Sequence, residues 1–352
     1  MKNLLTVVCA VLALLVVPAI TMGQVLNDSE EPGSVLVFPK FLKGTVNTEQ
    51  GPLARTEIEI SATCPRGASC VDGMGVTIRA HWVCPGNFFV PCRETDFTVR
   101  TTVRGSIWFN PEGSFQAPSS VANVPPAPCP GGYLIAWVVN ALGQPIKFDG
   151  LIGDAVIREG PDSASAYNAI PIQADPALAN NAVIPVAPDG ALIFDGGPGR
   201  YKAVTGTVHG TVRYDRPGTQ NTAPIQTSLT LLTLDVRSND FNYPTFVDLD
   251  FFTNNEQLFS TSTSFFCWEE VRLRDIDPAL NEIFLGRKGL VQSTEAEKVP
   301  FLGILDRFGP VTLLGLIETA EFGSPTATTP ARSYTYSVFN DSRPVGTVFE
   351  PH

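Results

Sequence analysis

Apolar and polar residues alternate with a period of two wherever this chain shows a pattern. In Thr56-Glu57-Ile58-Glu59-Ile60-Ser61 both isoleucines fall on one side and both glutamates on the other. Val76, Ile78, Ala80 and Trp82 alternate with Thr77, Arg79 and His81. Val204, Val208, Val212 and Tyr214 alternate with Thr205, Thr207, His209, Thr211 and Arg213, and Val247, Leu249 and Phe251 with Asp248 and Asp250. A strand sends successive side chains to opposite faces, so this period predicts sheets with one buried and one wet face. Thirty glycines and thirty prolines cut the pattern into short pieces, as turns and sheet edges require. Helical periodicity is scarce, and short helices or turns are expected only at residues 163–169 and 276–282. The expected fold is all-β, as two antiparallel β-sandwich (Ig-like) domains.

The N-terminus carries Lys2, an uncharged apolar stretch from Leu4 to about Ile20, and Thr21-Met22-Gly23 with small residues suited to cleavage before Gln24. That order marks a secretory signal over residues 1–23. A first sandwich over 24–173, a linker over 174–191 and a second sandwich over 192–352 follow. The linker is read from its small residues with Pro176, Pro185 and Pro188. Features on either side of it recur in similar order, with 55–62 resembling 226–236 and 75–83 resembling 245–252. In the same comparison 94–104 matches 264–277, and 132–140 matches 311–320. No later segment has the length and apolarity of a membrane-spanning helix. Loss of the signal takes the net charge from −11 to −12. Such acidity disfavours nucleic acid and anionic membranes as partners, since both select basic surfaces.

Cleavage also removes Cys9 and leaves Cys64, Cys70, Cys84, Cys92, Cys129 and Cys267. An even count in an exported chain reads as disulfides. Six cysteines allow fifteen connectivities. Proximity favours Cys64 with Cys70 and Cys84 with Cys92, leaving Cys129 and Cys267 to tie the halves together. Zinc is disfavoured, because no Cys-x-x-Cys occurs and no histidine stands at ligand spacing.

Three blocks carry a resemblance. Gly33-Ser34-Val35-Leu36-Val37-Phe38-Pro39, residues 133–140 and Phe148-Asp149-Gly150-Leu151-Ile152-Gly153-Asp154-Ala155-Val156-Ile157 are similar to blocks in a set of exported bacterial β-sandwich proteins. Those proteins share the post-signal GSVL-F strand and the F-x-x-LIGD block, and the strand around 335–338 is similar too. The resemblance implies an exported chain of β architecture. It implies no chemistry and carries over no functional residues.

A serine hydrolase apparatus needs a proton-shuttling histidine. The only histidines are His81, His209 and His352, and the first two are expected as solvated residues on polar strand faces, without a G-x-S-x-G elbow. Glu269 and Glu270 follow one another on a strand and so point to opposite faces. Asp248 and Asp250 share a face that reads as the wet one. Structural calcium has only weak candidates in Asp248, Asp250, Asp275 and Asp277, and no other cofactor is expected. Trp108 and Trp268 are the candidates for stacking a sugar ring, Trp82 and Trp137 for the core. The expected function is a non-enzymatic structural, adhesive or binding role at the cell envelope or outside the cell. A carbohydrate-binding module, or a hydrolase using acidic residues, is the alternative. Self-assembly and glycans are the partners considered, and a secreted, periplasmic or cell-surface location is expected.

Overall fold

The computed structural model describes residues 31–44, 46–47, 51–52, 55–113, 115–116, 124–158, 163–236, 243–298, 311–324, 326–327, 330–338, 344–345 and 347–349. The expected signal and His352 lie outside the described residues. The described residues are nearly all β, with 54% strand and 3% helix.

The first half contributes β1 (Val35–Leu42), β2 (Arg55–Ala62), β3 (Gly75–Val83), β4 (Glu94–Thr102), β5 (Gly105–Phe109), β6 (Gly131–Val139), β7 (Leu151–Arg158), β8 (Ala164–Asn168) and β9 (Ile170–Ile172). The second contributes β10 (His209–Arg213), β11 (Ile225–Leu232), β12 (Thr245–Thr253), β13 (Leu258–Phe265), β14 (Trp268–Arg272), β15 (Lys288–Ser293), β16 (Leu314–Phe322) and β17 (Pro330–Val338). They form four antiparallel sheets. Blade 1 runs β8-β7-β2-β5, blade 2 β9-β1-β6-β3-β4, blade 3 β14-β11-β16-β17 and blade 4 β10-β15-β12-β13.

The four small sheets form a four-bladed β-propeller, which replaces the expected pair of Ig-like sandwiches. The deciding observation is burial on both faces. In an isolated two-layer sandwich the outer face of each sheet is wet, yet β6 is buried at all nine positions and β1 at seven of eight. One apolar cluster lies between blades 1 and 2, around Phe38, Ile60, Ile78 and Trp82. A second covers the other face of blade 2, where Val37, Ile135 and Trp137 meet Leu232, Trp268 and Leu314 of blade 3. A third joins blades 3 and 4 through Leu229, Leu249, Phe251 and Ile317. Alternation in sequence says which residues leave the water on one face; it does not say what covers the other. The segment expected as a linker supplies Ala174, Ile184 and Ala191 to buried positions, the first two in the middle cluster.

The halves repeat one connectivity. β2, β3, β4, β5, β6, β7 and β8 occupy the places that β11, β12, β13, β14, β15, β16 and β17 occupy in the second half, and β1 corresponds to β10. Glycines repeat with it. A Cβ at Gly132 would stand 2.1 Å from the carbonyl oxygen of Val83, and one at Gly289 2.0 Å from that of Phe252, at equivalent points of β6 and β15. Gly153 and Gly315 likewise press on the carbonyls of Glu59 and Thr230. These close approaches exclude any side chain. The sequence comparison placed 75–83 with 245–252 as the structure does. It misplaced the later pairs, because β13 is Ser/Thr-rich and offers no apolar alternation to recognise.

The stretch 163–169, expected as a helix or turn, holds strand β8. Among the described residues the two helices are single turns, α1 (Leu273–Ile276) and α2 (Glu282–Leu285), flanking the stretch expected to be helical. Asn281 caps α2 by accepting the backbone N–H of Ile283 at 2.9 Å. No helix among the described residues is long and apolar enough to cross a membrane.

Three disulfides staple the fold: Cys64–Cys70, Cys84–Cys129 and Cys92–Cys267. Only the first matches the pairing favoured by proximity. Cys84 and Cys92 bracket one loop but serve opposite faces of blade 2. Cys84 enters the cluster shared with blade 1, beside Cys129 ahead of β6, while Cys92 packs on the middle cluster and reaches Cys267. The covalent tie between halves therefore exists, made by Cys92 in place of Cys129.

Around that tie the halves are joined by polar contacts. The Lys40 ammonium, 1% exposed, lies 2.7 Å from Glu270 Oε1 and 2.6 Å from Glu318 Oε2. Burial alone would lower its pKa, but the two carboxylates outweigh it and hold the ammonium charged well above its ordinary value. Ser165 Oγ donates to Glu318 at 2.9 Å, and the Trp268 indole N–H donates to the Pro39 carbonyl at 2.8 Å.

A second buried charge sets a pH dependence. Asp215, 6% exposed, has its carboxyl pushed up to about 6 by burial, against the pull of the Thr227 N–H at 2.7 Å and of the Arg274 and Arg272 charges. A raised carboxyl pKa means that the folded state holds the proton more tightly. The contribution of this carboxyl to stability is therefore fully present below pH 4 and lost as pH rises through about 6. Asp215→Asn is expected to unfold about 2–3 kcal/mol less readily than the parent at pH 7.5, with the two converging near pH 4. Urea titrations at both pH values check this, and equal gains at the two would refute it.

Candidate functional site

Strand β2 points Glu57, Glu59 and Ser61 away from the core, while Ile58 and Ile60 face inward. The same alternation turns Ile152, Asp154 and Arg158 of β7, Ser106 and Trp108 of β5, and Asn168 of β8 outward. The register then aligns them. Asn168 lies opposite Asp154, Asp154 opposite Glu59, and Glu59 opposite Trp108, so one row crosses the outer face of blade 1. Directly opposed residues carry Cβ atoms about 4.5–5.5 Å apart. The Trp108 ring, 44% exposed, therefore flanks a pair of adjacent carboxylates.

Burial, and then the Glu59 charge, raise the Asp154 carboxyl above the ordinary aspartate value. Glu59 accepts from Ser61 Oγ at 3.4 Å, and Ser61 and Ser106 hydroxyls lie 2.6 Å apart. Glu57 sits outside the row, paired with Arg158 at 3.2 Å and Arg55 at 3.5 Å. A cavity of about 360 Å³ opens at the Asn168 end, lined by Ser61, Ile152, Asp154 and Asn168. The face thus offers an exposed indole, two carboxylates, an amide and two hydroxyls, the set that a polyhydroxylated ring uses for stacking and hydrogen bonds.

Trp268, the other expected stacking residue, is buried between the halves at 8% exposure and cannot receive a ligand. His81 is a further correction. It is fully buried, stacked on Trp137 with ring centroids 4.9 Å apart, and its Nδ1 lies 3.2 Å from Glu94 Oε2. The polar side of β3 is covered at His81, beside Trp137 of the middle cluster, while Thr77 and Arg79 on the same side stay partly exposed. A dyad closed off in this way orients side chains but admits no substrate. His209 is half-buried on β10.

The carboxylates considered for calcium stand in two separate places. Asp248 and Asp250 share the outer face of blade 4, where Asp250 accepts from Ser260 Oγ at 2.6 Å. Asp275 lies in α1, and Asp277 accepts the Ala279 N–H at 2.7 Å. Among the described residues, no three His, Cys, Asp or Glu side chains converge as metal ligands do. Glu270, next to Trp268, is engaged by Lys40.

The first and third of the blocks that carry the resemblance meet. Gly33 bridges Leu151, Ser34 Oγ donates to Asp149 at 2.7 Å and accepts the Phe148 N–H at 2.8 Å, and Asp149 also accepts the Ala174 N–H at 2.9 Å. Asp149 therefore locks β1 to the start of β7, and Asp154, five residues on, faces out into the row. A larger cavity of about 700 Å³ opens beside this lock, lined by Arg66, Lys147, Asp149 and Lys202. Its Lys147 ammonium is taken up by the carbonyls of Asp175, Pro176 and Leu178 at 2.8, 3.2 and 2.9 Å.

No protein-family model matches the chain, and comparison with curated proteins returns no match either.

Proposed function

We propose that this chain is a non-enzymatic binding protein acting outside the cytoplasm, and that it takes a glycan on the outer face of blade 1. The observation that carries the reading is the row Asn168–Asp154–Glu59–Trp108, with an exposed indole beside opposed carboxylates and a cavity at its end. Three disulfides fit an oxidising extracellular or periplasmic compartment. Opposed carboxylates also occur in glycoside hydrolases, where they stand across the scissile bond within an enclosing site. Here both rise from one open sheet face, an arrangement that suits reversible binding better than hydrolysis.

The test is a glycan array probed with the oxidised mature chain, followed by titration of retained glycans. Trp108→Ala is expected to weaken binding about tenfold, the size of a lost stacking contact, and Asp154→Asn to alter its pH dependence. Unchanged affinity in Trp108→Ala would sink the assignment. Release of reducing sugar would replace binding with hydrolysis.

A further inference from the structure

We propose that β13 joins two copies of this chain edge to edge, in antiparallel register about Ser262. β13 is the end strand of blade 4 and pairs with β12 alone among the described residues. A free edge presents unpaired N–H and C=O groups, and natural sheets guard such edges with charge, proline or cover. The equivalent edge of the first half, β4, carries the exposed charges of Asp96 and Arg100. β13 contains no charge and no proline over Leu258–Phe265, and Leu258, Ser260, Ser262 and Ser264 are exposed.

Its sequence names the occupant. From 259 to 265 it reads Phe-Ser-Thr-Ser-Thr-Ser-Phe, the same in both directions about Ser262. Two copies related by a two-fold axis at Ser262 would set Phe259 opposite Phe265 of the second copy and Thr261 opposite Thr263. Ser260 would meet Ser264, and Ser262 its own counterpart. Aromatic pairs and Thr–Thr pairs stabilise antiparallel ladders, and no like charges oppose one another. Odd-numbered positions face the core in both copies, since Phe265 is buried and Phe259 packs on the cluster between blades 3 and 4. The pairing would therefore extend the ladder and the apolar layer together, giving an isologous dimer with one sheet spanning both chains.

Sedimentation of the oxidised chain up to roughly 100 µM is expected to show a concentration-dependent dimer. Ser262→Lys and Ser262→Glu each place identical charges on the axis and should weaken it about tenfold or more, while an equimolar mixture of the two restores association. Circular dichroism of each variant confirms that the fold is retained. Amide exchange across Leu258–Phe265 in the unmodified chain should slow as concentration rises. A monomer at every concentration overturns the proposal. So does a dimer indifferent to Ser262→Lys, a mixture that stays monomeric, or amide exchange that ignores concentration.

Discussion

Replacing Lys40 with methionine is expected to lower the unfolding free energy by about 3–5 kcal/mol, the range for breaking a buried ion pair from one side. Methionine keeps the volume and removes the charge. Glu318, 6% exposed, then faces Glu270 without its cation, at the point where β1 of blade 2 meets blade 3. Two nearby carboxylates with no counter-ion repel, and burial adds a desolvation cost. Combining Lys40→Met with Glu318→Leu should recover most of the loss, because the carboxylate that remains, Glu270, is 28% exposed and stays hydrated. Urea midpoints of the single and double variants decide the matter. A double variant no better than the single would show that Lys40 acts through packing and not through its charge. The ammonium stays protonated well above its usual range, so its contribution should hold across neutral pH and fade as pH rises beyond the ordinary lysine value.

Removing the Cys92–Cys267 link by the paired serine substitution should cost about 4–5 kcal/mol. The cysteines are 175 residues apart, and loop-closure entropy rises with that length. Removing Cys64–Cys70, six residues apart, should cost about 2 kcal/mol by the same reasoning. The large loss has a second signature. Each half owns a cluster between its two blades, and the covalent tie couples those clusters through the middle one. Calorimetry of the Cys92→Ser/Cys267→Ser protein should show the single transition broaden or divide. A sharp transition at the parental midpoint would refute the coupling.

Part of the candidate site was legible in the sequence. Trp108 stood among the stacking candidates, and the structure supplies its outward direction. The carboxylates beside it were not anticipated, since Glu59 and Asp154 lie 95 positions apart and become neighbours only through the β2–β7 register. A wet-face acid on each of two strands is a common pattern, and nothing local says that those strands pair. Trp268 failed for the complementary reason. It stood among the stacking candidates, while the side chain is buried because another blade lies over it.

The six cysteines show the same division. Their even number after signal removal pointed to pairing, and the short Cys64–Cys70 loop leaves little room for another solution. For Cys84 and Cys92, strand direction decided the partners: one thiol turns into the cluster with blade 1 and the other toward blade 3.

By itself the sequence determined the strand content, many of the inward and outward positions, the acidity and the supply of covalent staples. All of these follow from local chemistry, since a period of two and the placement of proline and glycine act within a few residues. The tertiary structure alone decided that four sheets form propeller blades, that β1 and β6 of blade 2 are covered on both faces, and that Lys40 and His81 leave the water. Those outcomes depend on which apolar face meets which, a choice among surfaces of similar composition that is settled by shape, register and chain connection.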